Sequence, residues 1–168
     1  MKRILTILAA TLLLTAAMAG TASASSYDSV AEELSAIGVF RGTAGGFELD
    51  RAPPRSEAAI MLVRLYGAED KAKAAYDAGE ITHPFTDVSA YTSPYVAWLY
   101  TNGITNGTSA TTFAPNSPIT REQMAAILYR YAAYKGYDVS QKADLSGYTD
   151  AASISGYAKD ALAWANAQ

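Results

Sequence analysis

Ala31-Glu32-Glu33-Leu34-Ser35-Ala36-Ile37-Gly38-Val39-Phe40-Arg41-Gly42-Thr43 returns later in the chain as Val96-Ala97-Trp98-Leu99-Tyr100-Thr101-Asn102-Gly103-Ile104-Thr105-Asn106-Gly107-Thr108. Leu34 pairs with Leu99, Gly38 with Gly103, Val39 with Ile104 and Gly42 with Gly107. Beyond these stretches Phe47 pairs with Phe113, Arg55 with Arg121 and Arg64 with Arg130. Tyr148-Thr149-Asp150 echoes Phe85-Thr86-Asp87, and Trp164 echoes Trp98. Self-similarity at a fixed period of roughly 65 residues marks a repeated supersecondary unit whose copies share a core.

Each unit reads as helix, turn, loop, helix. In the middle copy Tyr95, Val96 and Leu99 have helical spacing, and Asn102-Gly103 stops that helix with a residue tolerant of positive φ. Asn106-Gly107 is a second turn signal, and Phe113 and Pro115 lie in a loop too short for a strand. Thr120-Arg121-Glu122-Gln123 has capping-box spacing, with Thr120 as N-cap and Gln123 at the third helical position. Met124, Ile127, Leu128 and Tyr131 then form one apolar face, and Gly136 ends the helix. In the first copy Val30, Leu34 and Ile37 are expected on one buried face. Pro53-Pro54 precedes a second helix that turns Ile60, Val63 and Tyr66 inward, with Glu57 as its cap. Ala68 to Gly79 reads as a short exposed connecting helix, and the last stretch places Tyr157, Ala161 and Trp164 at helical spacing.

The start of the chain is of another kind. Met1-Lys2-Arg3, an uncharged apolar run from Ile4 to Met18 and Ala22-Ser23-Ala24 make a secretory signal peptide over residues 1–24. The run is too short and too weakly apolar for a membrane span. The 168 residues carry 13 Lys+Arg against 16 Asp+Glu, and the leader takes Lys2 and Arg3 with it. An acidic export product without a polybasic segment has no electrostatic footprint for nucleic acid or for an anionic membrane. With no Cys, disulfide and thiolate chemistry are excluded. No His/Asp/Glu cluster has metal-ligand spacing, so neither metal nor cofactor is expected. Twelve Tyr is a high number, and Tyr129, Tyr131 and Tyr134 on one helix cannot all be buried.

The ordered set Phe85-Thr86-Asp87-Val88, the Trp98 helix, Gly103-Ile104-Thr105-Asn106-Gly107, Phe113-Ala114-Pro115 and Thr120-Arg121-Glu122-Gln123 resembles the S-layer homology (SLH) domains of bacterial surface proteins. The resemblance implies a mainly α fold of repeated helix–loop–helix units in a pseudo-threefold bundle, here with incomplete outer copies. Its boundaries are a partial first repeat over 28–67, a connecting helix and linker over 68–84, a complete second repeat over 85–137, a linker over 138–147 and a truncated third repeat over 148–168. On that division the sequence reads as a fragment of a longer surface protein, in preference to a set completed by another molecule.

The family further implies a non-catalytic anchoring module, located at the cell surface, cell wall or S-layer. Grooves between its repeats hold secondary cell-wall polysaccharide, often bearing a pyruvate ketal. Carried over by motif, Arg121 and Arg55 are the groove arginines. Trp98, Trp164, Gly103 and Gly107 join them as candidate polysaccharide contacts, and Thr120, Gln123 and Glu57 support the motif as caps. Gln123 stands where the family has an acidic residue, and Pro54 where it has threonine. The physical basis is general: a helix N-terminus favours an anion, and a guanidinium there offers a planar fork to a carboxylate. Weak sites on a repeating polymer gain by avidity.

Two alternatives belong to other classes. Self-assembly would make other SLH chains the partner, with neighbours completing the outer copies. A glycan-active enzyme would need paired carboxylates, but Glu57 and Glu122 occupy different positions in their copies. The sole histidine, His83, has no nucleophile-elbow motif to serve. Catalytic residues are therefore expected to be none.

Overall fold

A computed structural model of the protein describes residues 25–43 and 45–168. The signal peptide expected over residues 1–24 lies outside the described residues. Those described are mainly helical, with two isolated β-bridges and no strand among them. They fall into two compact units that divide between Ile119 and Thr120.

The first unit contains α1 (Ser25–Ala36), α2 (Arg55–Tyr66), α3 (Glu69–Asp77) and α4 (Ser93–Thr101). Ser93 to Leu99 are all buried, so α4 has no solvated face along most of its length. It packs against both α2 and α3. Ala58, Ala59, Leu62 and Val63 of α2, Ala72 of α3, and Tyr95, Val96 and Leu99 of α4 are buried. A helix surrounded in this way must be apolar throughout, and Ser93-Pro94-Tyr95-Val96-Ala97-Trp98-Leu99 carries no charge.

The two copies of the turn after the first helix have the same hydrogen bonds. Gly38 N donates to Ser35 O, and Val39 N and Phe40 N to Leu34 O. At the second copy Gly103 N donates to Tyr100 O, and Ile104 N and Thr105 N to Leu99 O. Gly38 and Gly103 have φ of 74° and 69°, the left-handed conformation that closes a helix this way. Val39 and Ile104 are thereby driven into the core. The loops that follow also match: Glu48 and Ala114 are non-glycine residues with φ of 49° and 58°. Arg51 N bonds Glu48 O as Ser117 N bonds Ala114 O, both at 3.2 Å.

Two expectations for buried faces need correction. Ile37 is 57% exposed, because α1 ends at Ala36 and the chain is already turning; Ala31 and Leu34 supply the buried face. In α2 the inward face is Ala58, Ala59, Leu62 and Val63. Ile60 is half-buried, and Tyr66 is exposed with its ring 4.9 Å from that of Trp98.

The second unit contains α5 (Arg121–Tyr134), 3-10 turns at Ala151–Ser153 and Gly156–Ala158, and α6 (Lys159–Ala167). Met124, Ile127, Leu128 and Tyr131 are buried on α5 as their spacing requires. Ala125 and Ala126 of α5 meet Ala161 of α6, a small-residue seam with Tyr129 and Leu162 packed beside it. Of the three tyrosines on α5, Tyr131 is buried, Tyr129 half-buried and Tyr134 exposed. Tyr157 is exposed as well, and its hydroxyl reaches Glu122 rather than the core.

Candidate functional site

The heads of α2 and α5, where the two repeat arginines stand, have different surroundings. At the head of α2 the amides of Arg55 and Ser56 donate to Ser117 O and Pro115 O, both at 3.0 Å. Ile119 N donates back to Pro53 O, closing a short bridge between Pro54 and Pro118. The unpaired donors of a helix start are thus met by backbone carbonyls from the Phe113 loop. Arg55 is only 3% exposed. Its Nε donates to Phe113 O at 2.8 Å, and its guanidinium carbon lies 4.8 Å from the centre of the Phe113 ring.

Phe113 is itself 1% exposed and packs 5.7 Å from Phe85. Asp87 holds the loop from the other side, accepting from Phe113 N at 2.9 Å and Ala114 N at 2.8 Å. Partial burial works against the charge on Asp87, but these amides and the nearby Arg55 charge hold its carboxyl below the usual range. Gly107 completes the enclosure with φ of 74°; a Cβ there would stand 2.3 Å from the Phe85 ring and 2.6 Å from Thr112 O. Gly103 has open space around it, so its role is the turn alone.

At the head of α5 the capping box forms. Gln123 N donates to Thr120 Oγ1 and Thr120 N to Gln123 Oε1, each at 3.2 Å. Glu57 does not make the equivalent contact. Pro54 at the N-cap has no N–H to offer, and Glu57 instead binds Arg51 through both oxygens at 2.7 and 2.9 Å. Arg121 is exposed and lines a cavity of about 410 Å³ together with Glu122, Tyr148, Asp150, Leu162 and Asn166. Among the described residues no acceptor meets the amides of Arg121 and Glu122, and no donor meets the Asp150 carboxylate. Glu122 accepts from Ser155 N at 2.8 Å and from the Tyr157 hydroxyl, and the Ser155 amide foremost holds its carboxyl below the usual range.

The two tryptophans lie in packed settings. Trp98 is 9% exposed beneath Tyr66. Trp164 is 5% exposed, edge-on to Tyr129 at 5.7 Å, with an indole N–H that finds no partner among the described residues. The structure therefore gathers Arg55 and Gly107 around Phe113, and sets Arg121 in the other unit beside Tyr148 and Asp150. Those last two were legible only as echoes of Phe85 and Asp87.

Sequence reading missed the densest polar cluster. The Glu69 carboxylate accepts from Tyr95 Oη at 2.6 Å, Arg41 Nη2 at 2.9 Å, Lys73 Nζ at 3.0 Å and Arg64 Nε at 3.1 Å. Burial alone would raise its pKa; the Tyr95 hydroxyl, Arg64 and Lys73 overcome this and lower it to about 2. The Glu69–Lys73 spacing was available as a signal, whereas Tyr95 and Arg41 reach it only through the fold. His83 accepts from Phe85 N and stacks between Tyr76 and Phe85; burial pushes its pKa down. Among the described residues no three His, Cys, Asp or Glu side chains form a metal-binding group, and no helix is long and apolar enough to cross a membrane.

Comparison with known proteins matches residues 84–125 to the S-layer homology domain. The chain is 34% identical over 108 residues to an endoglucanase of Bacillus sp. (strain KSM-635), covering 64% of this chain and 11% of that protein. It is 30% identical over 126 residues to the surface-layer 125 kDa protein of Lysinibacillus sphaericus, covering 74% of this chain and 10% of that one. The chain thus spans about a tenth of the length of these relatives. No solved structure matches it. An S-layer homology domain is a cell-surface anchoring module. From the match over residues 84–125, the two relatives and the repeated helix–loop–helix plan, the chain carries an S-layer homology domain, the module of cell-surface association.

Proposed function

We propose that the chain is a non-catalytic module that anchors to secondary cell-wall polysaccharide, with Arg121 gripping an acidic group such as a pyruvyl carboxylate. The observation that carries this reading is the exposed guanidinium of Arg121 on a cavity of about 410 Å³, beside two α5 amides that have no acceptor among the described residues. A planar fork and open helix-start donors suit a carboxylate. Tyr148, 52% exposed on the same cavity, offers a ring face to a sugar. Trp98, Trp164 and Gly103 then serve packing and the turn. Arg55 is a strut beneath the next loop rather than a ligand contact. The relatives support a portable anchor, since one is named an endoglucanase and the other a surface-layer protein while each shares only about a tenth of its length. Glu57 and Glu122, the carboxylates an enzyme reading needs, are engaged by Arg51 and by Ser155.

Retention on purified cell-wall sacculi tests the proposal. Arg121→Ala is expected to weaken retention at least about tenfold, and Arg121→Lys to recover only part of it, because an ammonium cannot make the two-pronged contact. Undiminished retention of folded Arg121→Ala refutes the contact.

A further inference from the structure

The cavity beside Arg121 has an occupied counterpart in the same chain. Around Phe113, the loop is held by Arg55 and the first α2 amides on one side, and by Phe85 and Asp87 on the other. Arg121, Tyr148 and Asp150, the repeat equivalents of Arg55, Phe85 and Asp87, line the open cavity. The groups there without a partner among the described residues are those that the Phe113 loop satisfies in the first unit: two helix-start amides, a guanidinium and a carboxylate.

The chain also contains a second loop of the required kind. Phe47-Glu48-Leu49-Asp50-Arg51-Ala52 is the repeat equivalent of Phe113-Ala114-Pro115-Asn116-Ser117-Pro118. It has the same left-handed second residue and the same 3.2 Å turn bond. The amides of Phe47 and Glu48, which match the two that bind Asp87, have no acceptor among the described residues. Its ring is half-buried and touches Phe40, where Phe113 is fully enclosed.

We infer that the Arg121–Tyr148–Asp150 cavity is a socket for the Phe47 loop of a second copy of this chain. In the docked pair Asp150 accepts from the Phe47 and Glu48 amides. The carbonyls of Leu49 and Arg51 take the amides of Glu122 and Arg121, and Arg121 donates to the Phe47 carbonyl. Loop and socket are different segments of the chain, one in each compact unit, so the contact between two copies is heterologous. This goes beyond wall anchoring and constrains it. A docked loop covers Arg121 as the Phe113 loop covers Arg55, so assembly and polymer binding exclude each other at that arginine.

Sedimentation across a concentration series tests the inference on the purified chain. Assembly that grows with concentration is expected, with Phe47→Ala and Asp150→Ala each weakening it at least tenfold. The decisive arm mixes the two variants: Phe47→Ala still offers a socket and Asp150→Ala still offers a loop, so together they form a one-to-one pair that neither forms alone. A peptide of residues 46–54 should bind the wild-type chain and dissolve its assemblies, a readout that needs no variant to fold. A strict monomer at every concentration overturns the inference. So does a closed dimer indifferent to both substitutions, a mixture of folded variants that fails to pair, or a peptide that does not bind. Phe47→Ala, outside the cavity lining, leaves the proposed sacculus contact in place while Arg121→Ala removes it, so failure of the docking and failure of the anchoring reading show up separately.

Discussion

Replacing Glu69 with Gln removes a charge but leaves the size and shape of the side chain. In the fold that carboxylate is 14% exposed and receives four donors from three different elements and a loop. Its pKa falls from 4.5 to about 2. That difference corresponds to about 3 kcal/mol in favour of the folded state when the group is charged. The sign follows from the depressed value: the contribution is complete above pH 4.5, declines as pH falls, and is gone near pH 2. Most of it comes from the enclosed Tyr95 and Arg64 contacts, since exposed partners such as Lys73 and Arg41 contribute little. Glu69→Gln should therefore lower the unfolding free energy by about 3 kcal/mol at pH 7, with the gap to wild type closing steadily below pH 4.5. Urea titrations at several pH values, followed by the fluorescence of Trp98 under Tyr66, measure both quantities. A gap that does not change with pH, or one below about 0.5 kcal/mol at pH 7, refutes the reasoning.

Other substitutions probe the turns and caps. Gly103→Ala should cost about 1 kcal/mol for its left-handed backbone alone, because nothing crowds the new methyl group. Gly107→Ala should cost at least about 3 kcal/mol, since the methyl group must displace the Phe85 ring and the Thr112 carbonyl; equal losses in denaturant titrations would contradict the geometry. Thr120→Ala breaks the capping box and should lower stability by about 1 kcal/mol, with fraying at the start of α5 visible in amide exchange.

The repeat was readable because turn chemistry and helical spacing are local. Gly38 and Gly103, the Thr120–Gln123 box and the Met124–Tyr131 face needed no knowledge of what lay opposite them. Ile37 shows where locality stops: its spacing placed it inward, but the helix had ended one residue earlier. The fates of Arg55 and Arg121 were out of reach for a related reason. Both head a helix in the same motif, and what distinguishes them is a loop roughly one period further along that covers one and not the other. Glu69 was hidden similarly, since its strongest partner, Tyr95, belongs to a helix that the intervening chain brings back.

Because the Phe113 loop closes over the head of α2, the sequence motif and the compact units are out of phase. The family match covers 84–125, yet the compact units part between Ile119 and Thr120, inside that stretch. A cut placed just before Pro84 strips Arg55 of its lid, while one placed at Thr120 keeps helix and lid in the same piece. For grafting this segment onto other cargo, the serviceable seam is therefore the entrance to the arginine helix, not the gap between motifs.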